Sequence, residues 1–315
     1  MTTSTPPTVL VPPPEPVRRE PPVKAVRRVF SHPYASIGVT LIVLFWTIPT
    51  FGLFINSFRS KQDAATTGWW QFFAHPSFSL GNYHYVLFSG GGTVLPLVNS
   101  LAITIPATII PIALASMAAF ALAWVRFRGS DAIFFTIFAL QVVPLQMALV
   151  PLQRFYNFGA HIGSFSLFPG KTVTGLAEIW VSHTMFSLPL AIFLLHNFIS
   201  QLPESLIEAA RVDGATYLQI YRRIVLPLAG PAIASFAIFQ FIWVWNDLLV
   251  AKTFGGTDPA TQPVTARVQN LYGNFGAHPQ YLAPAGFITM VIPLIVFLAL
   301  QRYFVRGLLA GSVKG

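Results

Sequence analysis

The reactive side chains of this 315-residue sequence are not spaced for catalysis or for metal binding. There is no cysteine, which excludes disulfides and thiolate metal sites, and the seven histidines are scattered without ligand spacing. The Ser, His and Asp residues show no spacing of a nucleophile and its base. The glycine run at 90–92 continues without the lysine of a phosphate-binding loop. We therefore predict no catalytic residue, no metal site and no cofactor in this chain.

A second group of polar and aromatic side chains lies in or beside long apolar segments. The group consists of Asn99, Gln141, Gln146, Gln240, Trp243, Asn246 and Asp247. Amides hydrogen-bond to hydroxyl groups and aromatic rings stack on apolar faces, so this set can bind a neutral solute such as a sugar. A phosphate would find no buried cation, because Lys and Arg are confined to segment ends and loops. The alternative is that Asn and Gln in apolar segments only hold helices together.

The composition indicates where these side chains must be positioned. With 54% hydrophobic and 9% charged residues, the chain is too apolar for a soluble domain of its length. Each apolar run has the roughly 20 residues that a helix needs to cross a bilayer. We predict an all-α, polytopic membrane protein with six transmembrane helices, at about Tyr34–Ser57, Leu95–Val125, Ala132–Leu152, Leu176–Ile199, Ala229–Ala251 and Leu282–Tyr303.

Prolines fall within or at the ends of these runs, where we expect kinks. They are Pro106, Pro111, Pro144, Pro151, Pro189 and Pro293.

The distribution of basic residues predicts the orientation. The net charge of +9 is not a nucleic-acid signal, because the basic residues flank apolar runs instead of sharing one solvated face. With six spans, both termini lie on one side, and that side holds most of the 19 Lys and Arg residues. By the positive-inside rule, both termini and the polar segment 201–227 are predicted to be cytoplasmic.

Residues 1–29 form a separate segment that is rich in proline and basic residues. Its low apolar content predicts a disordered cytoplasmic tail, although a Pro-rich ligand for a partner is an alternative. It lacks the apolar core and cleavage site of a secretory signal. Residues 30–315 are predicted to form the transmembrane domain, with a long polar loop at 252–281 on the outer side.

The polar segment 201–227, which we call the elbow, separates two apolar runs and predicts two short helices. Pro203 suits a helix start, and Gly214 suits a left-handed stop after a first helix that ends near Asp213. Thr216 with Gln219 makes a capping box for a second helix that closes at Leu226-Pro227. The buried stripe of this second helix is predicted to be Tyr217, Ile220, Tyr221 and Ile224.

On the first helix, Ala209, Ala210 and Gly214 present almost no side chain. Another protein could therefore approach the backbone closely, and we interpret these residues as a docking face. The alternative interpretation is a merely compact amphipathic loop.

Several motifs resemble those of carbohydrate ABC-importer permeases. Glu208-Ala209-Ala210, followed by Gly214 and then by Ile224-Val225-Leu226-Pro227, resembles the EAA signature of that family. The resemblance extends through roughly two-thirds of the chain at Asn99–Leu101, Val125–Asp131, Trp243–Asp247, Gln301–Leu308 and Gly311–Gly315. The sequence departs from the family in its Pro-rich tail and in a longer segment at Arg154–Gly175.

The resemblance implies the type I importer permease fold and a role in coupling. The elbow would dock into a cytoplasmic ATPase, and the residues at the matched positions are Glu208, Ala209, Ala210, Asp213, Gly214, Leu226 and Pro227. The implied partners are a second permease subunit, two ATPase subunits that carry ATP and Mg, and an extracytoplasmic sugar-binding protein. Loop 252–281 would reach into that binding protein, and residues 311–315 would touch the ATPases.

The acidic residues agree with an external source of energy. Asp247 lies within a predicted span and Glu178 at the start of another, whereas a proton or sodium relay usually contains more ionisable groups. The family resemblance implies a di- or oligosaccharide or a related glycoside as the cargo, imported across the cell inner membrane. The alternatives are glycerol phosphate, a polyol or a peptide as cargo, or a self-contained channel or facilitator.

Overall fold

The structure is a computed structural model that describes residues 33–89, 92–125, 127–162, 165–171, 174–255, 261–272 and 279–312. The predicted tail 1–29, the boundary at residue 30, and Lys314 lie outside these residues. The described residues divide into two compact units, one that ends at Leu53 and one that begins at Phe54. The described part of the first unit is helical from Pro33 onward.

Helices make up most of the described residues. The chain begins with α1 (Pro33–Ser57), α2 (Lys61–Thr66), a 3₁₀ turn (Trp69–Phe73) and α3 (Gly81–Phe88). It continues with α4 (Val94–Phe120), a π-helical turn (Ala121–Val125), α5 (Ser130–Leu140) and α6 (Leu145–Phe158). After two strands come α7 (Leu176–Ile199), α8 (Glu204–Val212), α9 (Tyr217–Ile220), a second π-helical turn (Tyr221–Val225) and α10 (Leu226–Leu228). The last helices are α11 (Gly230–Trp245), α12 (Leu249–Gly255), α13 (Val264–Tyr272) and α14 (Pro279–Ser312).

Length and composition identify four helices that can each cross a membrane, and up to six spans if two bent pairs each count as one. The four are Pro33–Ser57, Val94–Val125, Leu176–Ile199 and Gln280–Gln301. The bent pairs are α5 with α6 and the helices of 217–228 with α11. The prediction of an all-α, polytopic membrane protein is therefore confirmed, and six spans result when each bent pair is one span.

In the third predicted span, Ala132–Leu152, the kink expected at Pro144 is a complete break of the helix. The helix breaks between Leu140 and Leu145, and the two halves meet at 100°. Pro144 supplies the cause, because it has no N–H to donate and its ring would clash with the carbonyl of Leu140 in a continued helix. The kinks expected at Pro106, Pro111, Pro151, Pro189 and Pro293 fall inside helices that continue past them.

The fifth predicted span, Ala229–Ala251, is wrong in its bounds. Helix α11 ends at Trp245 and lies at 71° to the preceding 217–228 segment. The bend precedes Pro231, which cannot donate the next backbone hydrogen bond of a continuous helix. Asp247 therefore lies beyond the end of α11 and not within the predicted span. Its carboxylate accepts hydrogen bonds from the N–H groups of Val250 and Ala251 at 3.4 and 3.0 Å.

A small hairpin occupies part of the segment that departs from the family pattern. Strands β1 (Gly159–Ile162) and β2 (Phe165–Pro169) pair antiparallel, with Gly159 opposite Pro169 and Ile162 opposite Phe165. The sequence reasoning predicted no strand there.

Two apolar clusters organise the second unit. α4 packs most extensively against α7, and α11 packs against both α4 and α14. At the elbow end of these helices, Phe120, Leu195, Ile207, Val225 and Phe236 form one buried cluster. At the opposite end, a second cluster contains Ile103, Leu149, Ile179, Val244 and Val250.

The outer surface of α4 is apolar. Val98, Ile105 and Ile109 are exposed by 54%, 46% and 59% of their areas. Exposed apolar side chains at helical spacing suit a surface that faces lipid instead of water.

Candidate functional site

The first helix of the elbow, α8, ends in a well-formed stop. Helix α8 begins at Glu204, one residue later than the predicted start at Pro203. Pro203 is its N-cap and Asp213 is its C-cap. Gly214 then has a φ of +77°, which is the left-handed conformation predicted for it at the end of the helix. The N–H of Gly214 bonds to the carbonyl of Arg211 at 3.0 Å, and the N–H of Ala215 bonds to that of Ala210 at 2.9 Å. These two bonds define a Schellman motif, which fixes the direction of the chain after α8.

The exposed face of α8 differs from the predicted docking face in one residue, Ala210. Ile207 and Ala210 point inward, with 2% and 9% of their areas exposed. Glu208, Ala209 and Asp213 lie on the exposed side. The small-residue surface therefore consists of Ala209 and Gly214 without Ala210, because the three-residue spacing from Ile207 places Ala210 on the buried side.

Val212 adds an apolar side chain to this exposed surface. It is 87% exposed, at the last helical position of α8. The sequence reasoning missed Val212, although an apolar residue beside a helix stop was a signal that could have been used. An exposed branched side chain beside a glycine offers an apolar contact to a partner.

The second half of the elbow begins as predicted and continues further. The Thr216 hydroxyl accepts from the Gln219 N–H at 3.3 Å, and the Gln219 side chain accepts from the Thr216 N–H at 2.7 Å. This confirms the capping box. The helical segment does not end at Pro227, because a π-helical turn and α10 continue it to Leu228. Both Leu226 and Pro227 are exposed.

The predicted stripe of the second helix is buried in part. Ile220 and Tyr221 are buried, and Ile224 packs on the same cluster, whereas Tyr217 is 45% exposed. The buried members attach the elbow to the ends of α4 and α7.

Trp124 joins three elements at the elbow end of the helices. Its indole Nε1 donates to the carbonyl of Ile199, the last residue of α7, at 3.1 Å. Its own carbonyl accepts from the Arg211 guanidinium of α8 at 3.3 Å. The side chain of Arg211 also donates to the Tyr217 hydroxyl at 2.8 Å and lies 5.0 Å from the centre of that ring. We call Trp124, Ile199, Arg211 and Tyr217 the clasp.

A second contact reinforces the clasp one turn further into α4. The hydroxyls of Ser116 and Tyr221 hydrogen-bond at 2.8 Å, and the rings of Phe120 and Tyr221 lie 5.6 Å apart. Both π-helical turns flank this region, and such turns are frequent at functional sites. The elbow is therefore held against α4 and α7 by side-chain contacts.

Two neighbouring cavities lie near the break in the third span. The larger has a volume of about 410 Å³, and the smaller has a volume of about 140 Å³. Both are lined by Gln141, Phe186 and Trp243. Ser187 and Gln240 also line the smaller one. The cavities combine amides, a hydroxyl and aromatic rings, which suits a neutral polar solute.

The structure brings together three of the seven side chains proposed for the solute pathway, Gln141, Gln240 and Trp243. Gln146 is exposed on α6 and lines neither cavity. Asn99 donates to the carbonyl of Gln262 at 3.2 Å, and Asn246 donates to the carbonyl of Ile242 in its own helix at 2.8 Å. The Asn99 bond ties α4 to the segment before α13, as the alternative interpretation predicts, whereas the Asn246 bond stays within one helix.

Other polar side chains in the same region were missed from the sequence. Thr104, Thr108, His183 and Ser187 are all buried on α4 and α7. Their spacing of four residues within each pair was the available signal, since side chains at i and i+4 share a helix face.

The described part of loop 252–281 is built on the end of α11. The Thr265 hydroxyl of α13 donates to the carbonyl of Asp247 at 2.8 Å, and Lys252 donates to the Gln269 side chain at 2.8 Å. Residues 256–260 and 273–278 of this loop lie outside the described residues.

Comparison with known proteins identifies the family. Residues 111–309 match the family described as binding-protein-dependent transport system inner membrane component. The chain is 49% identical over 283 residues to the osmoprotective compounds uptake permease protein GgtD of Synechocystis sp., covering 88% of this chain and 91% of the relative. It is 38% identical to the alpha-glucoside transport system permease protein AglG of Rhizobium meliloti, covering 89% and 96%. It is 36% identical to the trehalose transport system permease protein SugB of Mycobacterium tuberculosis, covering 90% and 97%.

Solved structures agree on the fold. A chain from the crystal structure of a bacterial ABC transporter involved in the import of the acidic polysaccharide alginate superposes with a TM-score of 0.68. The match covers 88% of this chain and 97% of that chain at 18% sequence identity, so it bears on the fold alone. The predicted resemblance to carbohydrate ABC-importer permeases is confirmed. This chain belongs to the family of binding-protein-dependent transport system inner membrane components and is a multi-pass membrane permease subunit.

Proposed function

We propose that this chain forms half of the translocation pore of an ATP-driven importer for a di- or oligosaccharide or a related glycoside. A second permease subunit completes the pore, two separate ATPase subunits hydrolyse ATP, and an extracytoplasmic binding protein delivers the sugar. The relatives named for alpha-glucoside and trehalose transport support the cargo class. The binding-protein-dependent family supports the delivery step. In this assembly ATP and Mg are bound by the ATPases and not by this chain.

The observation that carries the coupling role is the exposed surface of α8. Glu208, Ala209, Val212, Asp213 and Gly214 are all exposed around a rigid Schellman stop. A groove in an ATPase can approach the backbone at Ala209 and Gly214 and cover the Val212 side chain. Leu226 and Pro227 lie exposed at the end of the elbow and contribute to the same docking role.

The mechanism follows from the rigidity of this connection. ATP-driven closure of the ATPases moves α8 as a rigid body. Because the clasp ties α8 to α4 and α7, these spans tilt with it, and the pathway switches from facing inward to facing outward. With this orientation, the termini and the elbow are cytoplasmic. Loop 252–281 is on the outer side, where it contacts the binding protein and helps to release the sugar, and residues 311–315 contact the ATPases.

The cargo side of the proposal rests on the cavities near the break in the third span. Gln141, Gln240 and Trp243 offer hydrogen bonds and a stacking surface to a sugar. The cavity linings contain no Lys or Arg, so a phosphorylated cargo has no cation to bind there. This favours a neutral carbohydrate over glycerol phosphate.

ATP hydrolysis by the complex reconstituted in liposomes tests this function. We expect trehalose, maltose or melibiose, presented with the binding protein, to stimulate hydrolysis, whereas glycerol phosphate, a polyol and a peptide do not. Stimulation by one of these other solutes alone would contradict the cargo class. Sugar flux through liposomes that contain only this polypeptide would contradict the importer mechanism and favour a facilitator.

A further inference from the structure

The three mutually packed helices α4, α7 and α11 bury an unusual set of polar side chains where they meet. On α4, Thr104 and Thr108 are 1% and 6% exposed. On α7, His183 and Ser187 are 1% and 2% exposed, and on α11 the exposed area of Gln240 is 0%. We call these five residues the polar seam. Polar groups in such a place need an explanation, because burial removes them from water and costs free energy.

Hydrogen bonding between helices explains only part of the polar seam. Gln240 Nε2 donates across to the carbonyl of Ala107 at 3.1 Å. The Oγ1 atoms of Thr104 and Thr108, both ring nitrogens of His183 and Oε1 of Gln240 are buried and have no hydrogen-bond partner among the described residues. The nearest acidic group to His183 is Asp247, whose Oδ2 lies 3.7 Å from Nε2. Residues that served only to hold helices together would bond to one another.

Two neighbouring polar side chains at these helices do have hydrogen-bond partners. The Ser100 hydroxyl accepts from the N–H of Val264 at 2.8 Å, and Trp180 Nε1 donates to the carbonyl of Ala102 at 3.0 Å. Among the described residues of α4, α7 and α11, the buried side-chain atoms without a hydrogen-bond partner therefore belong to the polar seam, apart from Nδ1 of His196 near the elbow end of α7. Buried polar groups without partners are destabilising, and sites where they persist are often functional.

The polar seam continues from the cavity that already contains candidate solute-binding groups. Ser187 and Gln240 line the smaller cavity together with Gln141 and Trp243. The ring of Trp243 meets that of His183 edge to face, with centres 6.1 Å apart. The volume of about 140 Å³ is below the size of a typical ligand site, so this cavity must widen to admit a sugar ring.

We propose that the polar seam is a wall of the sugar pathway that is sealed in this conformation and exposed when α4 separates from α7 and α11 at the end away from the elbow, while the clasp holds α4 and α7 together at the elbow end. This inference rests on the proposed import of a neutral carbohydrate and adds the residues that meet it. Threonine hydroxyls donate and accept, the Gln240 carbonyl accepts, and a neutral imidazole offers one donor and one acceptor. Such a set matches a solute with many hydroxyl groups and no charge.

Cysteine accessibility tests the opening directly, because the chain contains no cysteine of its own. Single variants Thr104→Cys and Thr108→Cys are treated with a water-soluble methanethiosulfonate reagent in the complete complex, at rest and after trapping with ATP, vanadate and the binding protein. The control is Ala115→Cys, which is fully buried on α4 in the apolar cluster at the elbow end. We expect trapping to raise labelling of the two seam variants by about tenfold or more, as the open state becomes populated.

Ala115→Cys is expected to remain unlabelled in both states. The proposal is overturned if the seam variants stay unlabelled in complexes that hydrolyse ATP before vanadate is added and are inhibited by it, or if Ala115→Cys is labelled as fast as they are. If the wild-type complex shows no sugar-stimulated ATP hydrolysis, the proposed function fails instead, so the two failures are distinguishable.

Valine substitution provides a second readout that does not depend on labelling. Thr104→Val and Thr108→Val keep the side-chain shape and remove a hydroxyl without a partner, so thermal stability is expected to stay equal or rise. The KM for sugar uptake is expected to rise by about twofold to tenfold, the range for losing one neutral hydrogen bond. Lower stability with unchanged KM would show a purely structural hydroxyl and overturn the proposal.

Discussion

The indole Nε1 of Trp124 donates to the carbonyl of Ile199 at 3.1 Å, and this hydrogen bond joins the end of α4 to the end of α7 directly before the elbow. The carbonyl of the same tryptophan accepts from Arg211 of α8. A displacement of α8 is therefore passed to the end of α4 through the backbone carbonyl of Trp124 and to α7 through the indole of the same residue. The proposed coupling thus has a defined structural route into the membrane.

Replacing Trp124 with Phe should weaken this route while the ring remains in place. The variant loses one hydrogen bond and about 1 kcal/mol of stability. We expect the amount of sugar moved per ATP to fall, because the Arg211 bond to the backbone carbonyl of residue 124 remains but movement of α8 has less effect on α7. Sugar uptake and ATP hydrolysis are measured together in the reconstituted complex.

Trp180→Phe is the matched control for that substitution. Its indole also donates to a backbone carbonyl, that of Ala102 at 3.0 Å, but away from the elbow. We expect a similar loss of stability with an unchanged ratio of sugar to ATP. Equal loss of this ratio in both variants would show that helix packing, and not the clasp, sets the coupling.

Pro144→Ala should straighten the third span. With alanine, residue 144 can donate to the carbonyl of Leu140, and the 100° break loses its cause. We expect the distance between spin labels placed on α5 and α6 to lengthen, and sugar uptake to fall as the cavities at the break deform. Pro151→Ala is the control, since α6 already continues past Pro151. Unchanged distances in Pro144→Ala would mean that packing alone maintains the break.

The two glutamines Gln141 and Gln146 provide a pair of variants that tests whether the cavities belong to the solute pathway. Both side chains are exposed, but Gln141 lines both cavities and Gln146 lines neither. Gln141→Ala is expected to raise the KM for uptake by about twofold to tenfold, the range for one lost hydrogen bond. Gln146→Ala is expected to leave the KM unchanged. If Gln146→Ala raised the KM for uptake more than Gln141→Ala did, the cavities would not be part of the solute pathway.

The orientation of the elbow can be measured with single cysteines at two exposed positions. Val212 is 87% exposed on α8, and Phe73 is 65% exposed in the 3₁₀ turn after α2. In intact cells, an impermeant thiol reagent is expected to label Phe73→Cys and not Val212→Cys. In inverted vesicles the pattern should reverse, and added ATPase subunits should protect Val212→Cys. Labelling of Val212→Cys from outside would invert the topology and end the docking proposal.

Local signals in the sequence predicted the elbow better than any other region. Gly214 and the pair Thr216 and Gln219 act within a few residues, so their turn and cap follow from the sequence alone. The buried position of Ala210 could not be obtained in this way, because it depends on the cluster against which α8 packs. The same limit applied to the clasp, whose hydrogen bonds join residues 75 and 87 positions apart.

The membrane spans show where counting apolar residues fails. The run Ala132–Leu152 is long enough for one span, but length does not distinguish a straight helix from two halves at 100°. The sequence predicts a kink at Pro144, but the structure has a complete break, since α5 ends four residues before this proline. The polar seam was missed because threonine in an apolar segment is unremarkable until its burial and its bonding are known.

Gly214→Leu tests the central claim most directly, with Gly129→Leu as the matched control. Both glycines have positive φ, +77° and +92°, and no atom within 4 Å of an added Cβ, so each variant meets the same backbone strain and open space. We predict that Gly214→Leu inserts normally but loses ATPase binding and sugar transport by about tenfold or more, as for a buried contact in an interface. Gly129→Leu should retain both. Normal ATPase binding and full transport in Gly214→Leu would contradict the account.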